Sequence, residues 1–330
     1  MKNIHSLLVY MVLSVAVILN VYAAPTVYIP LGSGNQVIAI DSATSQIIKT
    51  FRGIENPHGL VATPDGEYLV AGSLKETPLK PDQPDNTANS LLYLIHPVHG
   101  HVMLTIPVAG WTHHQAITPD GRYVISTHAT RGYISVVDLE SNQVVKTIKT
   151  GNAPNYTLIT HNGHYAYVSN SASSSISEID LKTWRVTRTL DSGPSPEHMA
   201  FSKNQSIIFV ANPRAGKVSA ISVSSGKIKE QYLIGKSVHG LDIGDDGKTL
   251  FVSSKKEDKL VALDTATGEK REIKLTPSPY HLNTIHGTEK MYVSSRNKPV
   301  IWVIDQKQLS VITTIELPIG EAHQMAIINE

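Results

Sequence analysis

One stretch recurs along the chain: Asn56-Pro-His-Gly-Leu-Val-Ala-Thr-Pro-Asp-Gly66, a turn, a short apolar strand and a second turn. Variants stand at Gly110–Gly121, Ala153–Ile159, Pro196–Phe201, Ser237–Ile243, Pro279–Ile285 and Glu321–Ile327, making seven copies. From His198 onward the copies follow at 41, 42 and 42 residues. A fixed period of this length means one supersecondary unit stacked on its own copies, with equivalent positions brought together in space.

Between the copies lie short runs rich in Val, Ile and Tyr, separated by Gly, Asp and Asn turns. Tyr123–Ser126, Ile134–Asp138 and Val144–Ile148 form one such set of three, and Tyr165–Val168, Ile176–Asp180 and Val186–Leu190 the next. This spacing predicts an all-β chain. Four strands in about 42 residues is the arithmetic of a propeller blade, and seven copies predict seven blades. The chain opens with three strands (Thr26–Pro30, Gln36–Asp41, Gln46–Phe51) that lack an inner strand, and it closes on an inner strand at His323–Ile328. The two ends are therefore expected to complete one blade, which removes the exposed sheet edges of an open array.

Six of the seven copies carry histidine at the strand entrance: His58, His113 with His114, His198, His239, His281 and His323. Inner strands line a propeller's channel, so these imidazoles are candidates for one shared site. Neutral imidazole is a common ligand of zinc, copper, iron and nickel. Counted from the following turn, His58, His113 and His239 share a register, while His114 and His198 fall one place later. Successive strand positions face opposite ways, so a regular pleat would not converge all seven. The competing reading is a polar turn residue in each blade. One copy offers Asn155 and Tyr156 instead, either an open ligand position or a drifted repeat. His128, after a second strand, is a candidate to donate a hydrogen bond that supports the ligands from behind, with Arg131 beside it to attract an anion; the alternative is a polar loop. His96, His99 and His101 crowd an outer hairpin where sister blades have Asp41, Asp138 or Asp264, giving a weak rim metal site or a solvated turn. The insertion Lys75–Asn89, rich in Pro and Asp, is placed to cover the channel mouth or dock a partner.

Other features bound the function. Residues 1–23 read as a cleavable signal peptide: Lys2, an apolar run from Leu7 to Val21, then Val21-Tyr22-Ala23 before the cut. Residues 24–330 are then the propeller, in the periplasm or secreted. The chain has no cysteine, which excludes thiolate metal sites, disulfides and a lipoprotein anchor. Of 29 Lys+Arg, Lys2 leaves with the signal, so 28 face 28 Asp+Glu, and a neutral chain has no electrostatic claim on nucleic acid. No span of apolar residues after the signal is long enough to cross a membrane. No phosphate loop, nucleophile elbow or paired carboxylates stand out, so no catalytic residue is assigned. Asp65, Asp120 and Asp246 recur in turns, where Asp stabilises local backbone.

The segments Asp138–Ile148, Asp264–Glu269 and Tyr167-Val-Ser-Asn170 resemble the YVTN-type propeller repeats of secreted bacterial and archaeal proteins, and the likeness runs through nearly the whole mature chain. It implies the seven-bladed fold and leaves function open, since such propellers serve as binding proteins, surface proteins and reductase domains. The histidine pattern is similar to the propeller domain of nitrous oxide reductase, which holds a copper–sulfide cluster with seven histidines, two adjacent; His113-His114 would be that pair. It also resembles periplasmic zinc metallochaperone propellers and the haem-binding propeller of dissimilatory nitrite reductase. The expectation is a monomeric carrier or store for zinc or copper, with haem ranked behind them. The alternatives are a redox or haem-binding propeller, which would need a partner protein as electron donor, and an interaction scaffold without a cofactor. A periplasmic metal-transport or redox protein is the expected partner.

Overall fold

The computed structural model describes residues 24–329, so the expected signal peptide at residues 1–23 lies outside the described residues. Its strands form seven four-stranded antiparallel sheets. These are the seven blades of a propeller, each with an inner strand followed by three more. Blade 2 runs through Pro57–Ala62, Leu69–Ser73, Ser90–His96 and His101–Val108. Blades 3 to 7 begin at the inner strands Gln115–Ile117, Pro154–Ile159, Met199–Phe201, Val238–Ile243 and Pro279–Ile285. Blade 1 is split: the C-terminal strand Ala326–Ile328 pairs with Thr26–Leu31, and Gln36–Asp41 and Gln46–Arg52 follow. The ends are further tied by the His323 amide, which donates to the Pro30 carbonyl at 3.1 Å. The expected seven blades and split closure are both present.

The core sits between blades. Second and third strands, buried on both faces, present Val, Ile and Leu to each neighbour. Between blades 7 and 1, Val27, Ile29, Leu31, Ile38 and Ile40 pack on Ile285, Tyr292, Ile301 and Val303. Blades 5 and 6 meet through Phe209, Val218, Leu241, Val252 and Val261. Each buried aliphatic side chain contributes about 1.5–3 kcal/mol. The fourth strands are largely exposed, as in Gln143–Lys149, where Ile148 alone is buried. Asp65 and Asp120 hold the turn after the inner strand: each accepts from the Thr two places earlier at 2.5 Å, and that Thr accepts the Tyr68 or Tyr123 amide at 2.9 Å. Among the described residues no helix is long and apolar enough to cross a membrane.

A candidate metal centre in the channel

The inner strands do not enter the sheet as regular pleats. In blade 2 Pro57 faces Ser73, yet Leu60 faces Ala71, so one extra residue is accommodated between them. The same bulge occurs at Val238/Leu241, Pro279/Leu282 and Pro154/Thr157. Blades 3 and 5 repeat the pairing around it: the Thr127 and Ala211 amides donate to His114 and His198 carbonyls, while His113 and Glu197 amides donate back. A bulge puts two residues where a pleat has one and re-aims their side chains. Its first position holds His58, His113, Asn155, Glu197, His239, Tyr280 and Ala322, and its second Gly59, His114, Tyr156, His198, Gly240, His281 and His323. The two registers read from the sequence are these two places, and the bulge is what lets histidines from both converge.

Where the first place is His and the second Gly, the glycine is required by the next blade. A Cβ on Gly59 would lie 2.8 Å from the His113 carbonyl oxygen, and one on Gly240 would lie 2.6 Å from that of Tyr280. Hydroxyls pin the bulges. Thr127, Ser169 and Ser253 each accept the second bulge amide of their own blade at 3.0–3.1 Å. They donate to the first bulge carbonyl of the next blade, those of Asn155, Glu197 and Tyr280, at 2.6–2.8 Å.

Six imidazoles converge in three overlapping sets: His58, His113 and His114; His58, His281 and His323; and His114, His198 and His281. Within each set the ligand atoms lie within 4.8 Å of one another. His58, His114 and His281 form a central triangle, with ring centroids 5.0–5.7 Å apart. His113, His323 and His198 each cap one edge of it. His239 belongs to none of these sets; it touches His198 and His281 at 4.4 and 4.9 Å, and its Nδ1 lies 2.9 Å from a Glu197 carboxylate oxygen. Burial pushes His58, His114, His198, His239 and His281 well below the ordinary histidine range, and pushes His113 down to about 4. His323 is lowered by the same burial, opposed by Glu321. The ring is therefore neutral at pH 7, with nitrogen lone pairs free to bind a cation. The Nε2 atoms of His58, His114, His198, His239, His281 and His323 are buried without a hydrogen-bond partner.

Tyr156 stacks on His198 at 4.7 Å, and the Asn155 carbonyl accepts from His114 Nδ1 at 3.0 Å. The blade without histidine thus supplies packing and a ring-orienting acceptor. Charged groups border the ring on one side. Lys255 and Arg296 lie over the Tyr280 ring, Tyr280 stacks on His239, and Arg296 pairs with Glu321 at 3.2 Å. Glu321 in turn lies 3.5 Å from His323 Nε2. On the other side a cavity of about 530 Å³ leads from His198 and His281 along the inner strands to Asp242 and Asp245. Burial raises the Asp242 carboxyl above its usual range, although it accepts the Thr284 amide at 2.9 Å.

The remaining candidates stand apart. His128 Nδ1 lies 3.1 Å from the Gly110 carbonyl and its ring packs on Tyr133, so its contacts are not with the ring histidines. Arg131 is engaged by Glu76 of the insertion in an ion pair. His96, His99 and His101 neighbour one another, with centroids 4.2 and 6.0 Å apart, but the histidine triplets found among the described residues all belong to the channel ring. Glu197, Tyr280, Lys255, Arg296 and Glu321 were not singled out in the sequence. The first two had a signal, since they occupy the bulge place of His58 in a count of 42, 42, 42, 41 and 42 residues from His113 to Ala322.

The fold and the site define a seven-bladed propeller with a histidine-filled channel. A sequence model of the YNCE-like beta-propeller family matches residues 145–245, from the last strand of blade 3 to the end of the inner strand of blade 6. No curated protein matches the chain in sequence. Solved structures share the fold. A putative 6-phosphogluconolactonase from Bacteroides fragilis is 13% identical with a TM-score of 0.75, over 93% of this chain and 98% of that one. Kuenenia stuttgartiensis hydrazine synthase is 18% identical with a TM-score of 0.70, over 83% of this chain and 95% of that one. The dihydro-heme d1 dehydrogenase NirN, in complex with DHE, is 16% identical with a TM-score of 0.67, over 88% of this chain and 63% of that one.

Proposed function

We propose that this protein binds a transition metal, zinc or copper, through its channel histidines and carries or stores it, in the periplasm or as a secreted protein. One observation carries this reading: neutral imidazoles converge in sets of three, with the Nε2 atoms of His58, His114, His198 and His281 and the Nδ1 atoms of His113 and His323 buried without a hydrogen-bond partner. A buried polar atom left without a partner costs about 1–3 kcal/mol, and six such atoms in one place are an incomplete arrangement that a cation completes. An all-nitrogen donor set without thiolate suits zinc and copper better than calcium or magnesium, which take oxygen.

The test is metal analysis of natively purified protein, followed by calorimetric titration of the metal-free protein with zinc and with copper(I). Tight binding that is lost in His281→Ala and retained in the triple change at His96, His99 and His101 is the expected result. Metal-free native protein whose ring takes up neither ion would sink the proposal.

A redox or haem-binding role is the second reading, and the fold shared with NirN is compatible with it. Neighbouring imidazole centroids 4.1–5.7 Å apart leave no space within the ring for a macrocycle, so a tetrapyrrole would have to occupy the adjoining cavity. Visible absorption of the native protein separates the readings, because zinc and copper(I) are colourless.

A further inference from the structure

The three histidine sets cannot all be filled independently. His114 belongs to two of them, but its Nδ1 faces the Asn155 carbonyl at 3.0 Å, leaving Nε2 alone for metal. One nitrogen has one lone pair, so the set with His113 and the set with His198 compete for His114. The sets His58–His113–His114 and His58–His281–His323 are different. They share His58 alone, whose Nδ1 and Nε2 are both buried and both without a hydrogen-bond partner. They also approach from opposite sides: His113 and His114 come from blade 3, His281 and His323 from blades 7 and 1, with His58 on blade 2 between them. The His58 ring stacks on His113 at 4.5 Å and lies 4.1 Å from His323.

A neutral imidazole always carries one N–H, so in the metal-free protein His58 has a buried donor and a buried acceptor with nothing to meet. His114 and His239 each have one nitrogen spoken for, by Asn155 and Glu197; His323, whose two nitrogens also lack a hydrogen bond, has Glu321 3.5 Å from Nε2 and belongs to one set alone. Occupation by an ion on each side uses both nitrogens of His58. We propose that the channel holds a pair of metal ions joined through His58, one with His113 and His114 and the other with His281 and His323. This rests on the metal-binding reading above. The balance is simple: the second ion binds the nitrogen that carried the proton, that proton leaves to solvent, and His58 becomes an imidazolate bridge. No electron is transferred.

Copper(II) is the probe, because two copper(II) ions joined by imidazolate couple antiferromagnetically. Metal-free protein is titrated with copper(II), and the double-integrated paramagnetic resonance signal is followed. The expected result is two tightly bound ions and a signal at the second equivalent smaller than that at the first. In His58→Gln the coupling should vanish and the signal per bound ion rise to that of isolated copper. A wild-type signal that doubles at the second equivalent overturns the bridge while leaving metal binding intact. Saturation at one equivalent overturns it likewise. Failure to bind copper(II), zinc or copper(I) overturns both readings. The wild-type measurement decides the matter even if the variant does not fold.

Discussion

At the scale of single residues, the ring histidines differ in what they have already committed. His281 sits in two of the three sets, whereas His239 sits in none and has Glu197 on its Nδ1. His281→Ala should therefore weaken zinc or copper binding by more than about 100-fold, the upper range for losing a mere supporting contact. His239→Ala should cost less than that, and calorimetry on the two variants gives the order. Equal losses would mean that His239 is a direct ligand on the same footing. The metal-free protein should also be sensitive to acid. The folded-state pKa values of the ring and of His128 are depressed by burial, to about 4 for His113 and His128. The unfolded chain protonates near 6.5 and the folded one only well below, so the unfolded state binds more protons in between. The contribution is complete above about pH 6.5 and lost as pH falls from there towards 4. A melting temperature lower by roughly 10 °C at pH 5 than at pH 7.5 is expected, with bound metal reducing the difference at pH values where it stays bound. All seven histidines were legible in the sequence because each stands at the entrance of an inner strand, at one of two adjacent repeat positions. Which of them form the hub was not, since that depends on which second nitrogen a neighbouring carbonyl or carboxylate has taken.

At the scale of the element, the bulge is the device that makes the site. Regular alternation would have turned His114, His198, His281 and His323 away from His58, His113 and His239. The extra residue in each inner strand cancels that alternation, and the hydroxyls of Thr127, Ser169 and Ser253 hold it across the blade boundary. Ser253→Ala leaves the Tyr280 carbonyl and the Gly240 amide without this partner. The expected cost is about 1–3 kcal/mol, or roughly 2–10 °C of melting temperature. Metal affinity should fall as well, because Tyr280 and His281 lose their anchor. An unchanged melting curve would show that the hydroxyl bonds are dispensable. Gly240→Ala should be more severe, since the added Cβ would meet backbone of blade 7 at 2.6 and 2.8 Å, and backbone cannot step aside as a side chain can. The strands themselves were readable from their Val, Ile and Tyr runs and their turn residues. The bulge was not, because nothing in one blade's composition marks it. Only the strict count from His113 to Ala322, with Glu197 and Tyr280 standing where sister blades have His, carries its trace.

At the scale of the whole molecule, the ring depends on closure, because His323 and the inner strand of blade 1 come from the C-terminal end while the rest of that blade is N-terminal. The strand Ala326–Ile328 pairs with Thr26–Tyr28, and Ala322 and Met325 enter the core shared by blades 7 and 1. Deleting residues 323–330 removes the strand pairing and the Met325 side chain and uncovers the edge of Thr26–Leu31. It also removes His323 from the set it shares with His58 and His281. The insertion between the second and third strands of blade 2 is a useful contrast, and its tip at residues 80–86 is of similar length to the deleted tail. Its base is fastened, with Asn89 Nδ2 bonded to Glu76 at 2.9 Å and Arg131 paired to the same carboxylate, but residues 80–86 are exposed and contribute nothing to the core. Excising residues 80–86 should shift the melting temperature by no more than roughly 4 °C, whereas deleting 323–330 should lower it by well over roughly 10 °C. The asymmetry follows from burial: each apolar side chain uncovered at the closure costs about 1.5–3 kcal/mol, and several are uncovered together. Metal titration of the two deletions separates stability from site, since the excised loop should leave stoichiometry unchanged and the open ring should lose it. Comparable melting temperatures for the two would mean that six blades hold the ring without the seventh being latched.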